Sequence, residues 1–109
     1  MTLDISDLIP DMLAAAGGVL QDSWSEARDY AEVEFRKTAE TLALIARLYG
    51  DGTISEERAR LHLEFQKSST KTVLLTIEGL GVVAAERAVN AALGVVKDAV
   101  NTTLGFVLI

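Results

Sequence analysis

The side chains in this 109-residue chain that could do acid–base or metal chemistry are sixteen carboxylates and one histidine, His62, with no cysteine. Without cysteine there is no thiol nucleophile, no disulfide framework and no Cys-ligated zinc or iron–sulfur centre. The string GDGTIS, Gly50 to Ser55, has the look of a calcium EF-hand loop, in which a glycine stands sixth, a hydrophobe eighth and a bidentate Glu twelfth. Placing Gly52 sixth and Ile54 eighth puts Arg47 at the first ligand position and Arg58 at the twelfth. Two cations at ligand positions argue for a capped turn and against calcium. A di-iron pair needs Glu three residues before His on each of two helices, and the residue three before His62 is Ala59. No Ser, Asp and His set carries a nucleophile-elbow pattern. No catalytic residue, metal or cofactor is therefore expected, His62 is a partly exposed spacer, and the chain is non-enzymatic.

The elements that would carry such groups are all helical. One proline, Pro10, occurs, and no strand-length alternation is bounded by turn residues. A short apolar helix is expected over about Ile9 to Leu20, weakened at its end by Gly17 and Gly18. A capping box, Ser23 with Glu26, starts a second helix that runs to about Tyr49. Its Ala31, Phe35, Thr38, Leu42, Ile45 and Tyr49 alternate spacings of four and three, the seam of a helix packed lengthwise on another. Glu32, Arg36 and Glu40 form an i,i+4 ladder on another face. Gly50 and Gly52 end the helix, and Thr53 with Glu56 caps the next, making a tight hairpin. That third helix could run from about Ile54 to Gly105, some ~75 Å if unbroken, with a kink at Gly79 to Gly81. The polar run Gln66 to Thr72 is read as an exposed crossing.

Near the C-terminus an eleven-residue pattern repeats, AAERAVNAALG (Ala84 to Gly94) followed by VVKDAVNTTLG (Val95 to Gly105). Eleven residues make about three turns, so its charged pairs (Glu86 and Arg87, Lys97 and Asp98) and its Asn90 and Asn101 stack into one stripe. The stripe covers roughly a third of the circumference and leaves an apolar arc twice as wide. Residues 72–109 hold three acids and two bases, against thirteen acids and eight bases in residues 1–71. The division is then a short apolar N-terminal helix (1–22), a charged hairpin (23–71) and an apolar assembly helix (72–109), all in one domain. The fold class is all-α: a helical hairpin plus a long, kinked, very apolar C-terminal helix, packed as an oligomeric helical bundle.

The run of small side chains lets two backbones approach closely. The expected oligomer interface is Leu80, Ala84, Ala85, Ala88 and Ala91, continuing through Ala92, Val95, Ala99, Leu104 and Phe106. The uncharged terminus TTLGFVLI adds to it. The function expected is that of a structural protein that self-associates through this helix, with itself or a dedicated protein as partner, as a small subunit of a larger complex or virion. A net charge of −6 and a pI near 4.6 have the wrong sign for a nucleic-acid partner.

The segment GVVAAERAV resembles a synuclein repeat, and eleven-residue amphipathic repeats also mark apolipoprotein-like membrane helices. That resemblance covers barely two repeats, without the lysine-rich core, and implies the alternative of a peripheral protein on a lipid or other hydrophobic surface. The polar stripe lacks the Lys and Arg excess that attracts anionic lipid. The N-terminal MTLDISDLIPDM has three Asp and no base before its first apolar run, unlike a secretory signal. A cytoplasmic setting, or one inside a large assembly such as a virion, is expected.

Overall fold

In the computed structural model, which describes all 109 residues, the seam of the second helix sets the architecture. Ala31, Phe35, Thr38, Leu42 and Ile45 are buried along α2 (Trp24–Gly50), with Tyr49 half-buried at its end. Three more helices pack round that seam: α1 (Ile9–Leu20), α3 (Glu56–Leu74) and α4 (Val82–Leu104). There are no strands, and 3₁₀ turns at Ser6–Leu8 and Gln21–Ser23 flank α1. At about 1.5 Å per residue the 27 residues of α2 nearly span the longest dimension of the molecule, 43 Å.

The chain runs up, down, up and down. Trp24 lies against Gly17 and the start of the chain against Gly50, so the N-terminal segment and α1 run antiparallel to α2. Gln66 bonds to Thr38 and Thr41 while Val73 shares a cleft with Tyr30, which reverses α3 on α2. Lys71 reaches Glu86 at 3.2 Å, which reverses α4 on α3. The ring closes through α1 and α4, the most extensively packed pair. All four helices meet at the centre, where Met12, Phe35, Thr70 and Ala92 are within a few per cent of fully buried. This is the topology of a short-looped four-helix bundle.

Local chemistry corrects several expectations. Residues 54–105 do not form one kinked helix. The chain reverses over residues 75–81, where Gly79 has a left-handed φ of 84° and the buried Ile77 pins the loop to the core. The box at Ser23 and Glu26 does not form. A capping serine needs an extended backbone, whereas Ser23 is helical (φ −81°, ψ −7°) because a 3₁₀ turn feeds straight into α2. The cap of α3 is Ser55, not Thr53: its hydroxyl accepts the Arg58 amide at 3.2 Å. In GDGTIS, the amides of Asp51, Gly52 and Thr53 donate to carbonyls of Arg47, Tyr49 and Leu48, with Gly52 at φ 75°. The loop's donors are spent on ending α2.

The polar run Gln66 to Thr72 is helical, and part of it faces inward rather than forming an exposed crossing. Gln66 Nε2 donates to Thr70 Oγ1 at 3.2 Å and Thr41 Oγ1 donates to Gln66 Oε1 at 3.4 Å, bridging α2 and α3. Gly17 does more than weaken a helix end. A Cβ there would lie 2.9 Å from Trp24 Cε2, so the glycine seats the indole.

Candidate interaction surface

The apolar arc of α4 is covered within the chain. Ala85, Ala88, Val89, Ala92, Leu93, Val96, Val100 and Leu104 are buried, and α4 packs most extensively on α1, a helix from the other end of the sequence, whose Met12 shares a small cavity with Val89, Ala92 and Leu93. Close approach of two backbones, expected between copies, is thus achieved between α1 and α4 of one chain. Of the ten proposed interface residues, Ala85, Ala88, Ala92 and Leu104 lie in this core and have no surface to offer. Leu80, Ala84, Ala91, Val95 and Phe106 are half-buried, and only Ala99 is exposed. The stripe of charged pairs and Asn90 does face solvent.

The terminus TTLGFVLI folds back instead of projecting. Gly105 turns the chain with φ 81°, and Asn101 Oδ1 then accepts the amides of Leu108 at 2.9 Å and Ile109 at 3.1 Å. Asn101 Nδ2 donates to the Ile109 carbonyl at 3.1 Å. The Phe106 ring meets Tyr49 at 4.9 Å between centroids, with the Arg60 guanidinium 5.2 Å from its own centroid. Arg60 Nη2 also donates to the Val107 carbonyl at 3.2 Å.

Exposed large apolar side chains remain in both halves of the chain: Leu75, Val82, Val83 and Val107 toward the C-terminus, and a set on α2 and α3 that includes the most exposed of all. Phe65 is 80% exposed and Leu61, one turn earlier on α3, is 57% exposed. Both stand opposite the buried Ala59, Leu63, Thr70 and Leu74. On α2 the large apolar residues turned away from the core are Tyr30, Val33 and Leu44. The charged residues Glu26, Lys37, Glu40, Arg47 and Asp51 complete the same outward row, all exposed. The hairpin of α2 and α3 therefore has an apolar inner face and an outer face on which large apolar side chains alternate with charged ones. Alternating spacings of four and three along Tyr30, Val33, Lys37, Glu40, Leu44 and Arg47 were legible in the sequence. The charged members hide the row from any count of apolar residues.

Electrostatics on this hairpin are local. The expected ladder holds at Arg36 and Glu32, 3.1 Å apart, and extends back to Arg28 at 3.7 Å, but Glu40 has no ion-pair partner and neither does Arg47. His62 is exposed. Glu34 is 2% exposed, takes Lys37 Nζ on Oε2 at 3.1 Å and leaves Oε1 buried with no partner. It lines an open cleft with Glu26, Asp29, Tyr30, Val33 and Val73. An unpaired buried acceptor costs about 1–3 kcal/mol, so this corner is incomplete as it stands.

No helix is long and apolar enough to cross a membrane. No protein-family model, curated protein or solved structure matches this chain.

Proposed function

We propose that the protein is a non-enzymatic assembly subunit that associates with a second copy of itself through the outer face of the α2 and α3 hairpin. The observation that carries this reading is Phe65: a large aromatic ring, four-fifths in water, on a helix whose opposite side already fills the core. Burying an aromatic ring and a leucine contributes about 1.5–3 kcal/mol each. Large apolar side chains in a row on a folded surface generally mark an interaction site. The self-association expected of residues 72–109 moves to residues 26–69, because the α4 arc is occupied.

Light scattering over a concentration series tests the reading. The expected result is twice the chain mass, 11.7 kDa, with dissociation on dilution. A single-chain mass up to millimolar concentration overturns it, as does a chain that floats with anionic vesicles and shows no self-association without them.

A further inference from the structure

The outward row on α2 is its own complement when reversed. We infer that the second copy docks with its α2 antiparallel to this one, about a two-fold axis that crosses the helix between Thr38 and Ala39. The inference names the geometry of the self-association proposed above and rests on it. Residues equidistant from that axis come face to face. Lys37 meets the partner's Glu40, Val33 the partner's Leu44, and Tyr30 the partner's Arg47. These are an ion pair, an apolar pair and a cation beside an aromatic ring, and the rotation makes each of them twice.

Other registers lose this match. A parallel pairing sets Lys37 on Lys37 and Arg47 on Arg47. Sliding the antiparallel copies by one heptad puts Lys37 against Arg47 in one direction and against Val33 in the other. Like-charge juxtaposition of this kind disfavours wrong pairings. In the matched register the only like-charged pair is Glu26 with the partner's Asp51, at the solvated rim where salt screens it.

The unfinished corner at Glu34 supports the same geometry. Arg47 has no ion-pair partner in its own chain, and the rotation carries the partner's Arg47 to Tyr30, at the mouth of the cleft that Glu26, Asp29 and Glu34 line. A guanidinium there places a positive charge beside an acidic cleft, Glu26, Asp29 and Glu34. Each copy completes the other's cleft.

The chain has no cysteine, so disulfide trapping reports the register directly. Val33→Cys and Leu44→Cys are made in separate chains, and each is oxidised alone and then as an equal mixture. The expected result is a covalent dimer in the mixture only. Within one antiparallel pair, two copies of the same position lie ~16 Å apart along the helix, beyond the roughly 7 Å a disulfide tolerates between Cα atoms. Alongside, Lys37→Glu should raise the dimer Kd about tenfold or more, because the rotation removes two charge pairs of up to ~1 kcal/mol each and sets Glu against Glu in their place. The double exchange Lys37→Glu with Glu40→Lys should restore it to within about threefold.

A wild-type dimer that cross-links through Val33→Cys alone overturns the register and leaves self-association standing. So does a dimer whose mixture gives no cross-link and whose charge exchange does not restore binding. A monomeric wild type overturns both readings.

Discussion

Replacing Gly17 and Gly18 by Ala, one at a time, separates helix propensity from the seating of Trp24. Both glycines lie inside α1, so each substitution gains a similar propensity term, about 0.5–1 kcal/mol. At Gly18 nothing lies within 4 Å of the new Cβ, so that gain should appear intact. At Gly17 the Cβ would stand 2.9 Å from Cε2, 3.0 Å from Nε1 and 3.1 Å from Cδ2 of Trp24. Those are atoms of a rigid ring, and ordinary carbon contacts lie near 3.5–4.0 Å. The indole must therefore retreat, at an overpacking cost of about 1–3 kcal/mol. The propensity term cancels between neighbours, so the two variants should differ by about 1–3 kcal/mol. At roughly 4 °C per kcal/mol for a chain of this size, that is about 4–12 °C in Tm. Urea unfolding followed by circular dichroism and by the emission of the single tryptophan measures it. Gly17→Ala should also shift that emission to the red. Equal stability of the two variants with unchanged emission would refute the seating.

Three further outcomes follow from local geometry. Asn101→Ala removes three hydrogen bonds to the terminal residues and should cost about 1–2 kcal/mol, with faster amide exchange at Leu108 and Ile109 than in the wild type. Gln21 holds φ 47° and ψ −108°, the glycine-favoured first central position of a type II′ turn, so Gln21→Gly should raise stability by about 1 kcal/mol in the same urea assay. The Ser6 hydroxyl and then its backbone amide donate to Asp4, holding that carboxyl below the usual aspartate range. A depressed folded-state pKa stabilises the turn above the ordinary aspartate value and ceases to do so as pH falls through the folded value. Ser6→Ala should bring the Asp4 midpoint, read by NMR titration, back up toward the ordinary value.

Patterns confined to one helix were the legible ones. The seam from Ala31 to Ile45 follows from its spacing alone, as does the exposed polar stripe of α4, because an α-helix turns spacing into a face. Breaks were half legible: Gly79 marked a disruption, but reversal over residues 75–81 depends on Ile77 and on the packing of α3 against α4. The covering of α4 by α1 was not legible, since nothing local ties Met12 to Val89 or Ala92. A wide apolar arc states how much must be covered and is silent on what covers it. The outer row of α2 was missed for the opposite reason. Its charged members resemble an ordinary wet face until they are paired with themselves in reverse.

The most direct test of the central claim is the solution mass of three proteins under one condition: wild type, Phe65→Glu and Ala99→Glu. Phe65 represents the hairpin face, and Ala99 is the one exposed residue of the α4 surface first expected to assemble. Both positions are on the outside of helices, so circular dichroism should find all three folded. A dimer is expected for the wild type and for Ala99→Glu, and a monomer for Phe65→Glu. A dimer that survives Phe65→Glu and falls apart with Ala99→Glu would return assembly to the C-terminal helix and contradict the central claim.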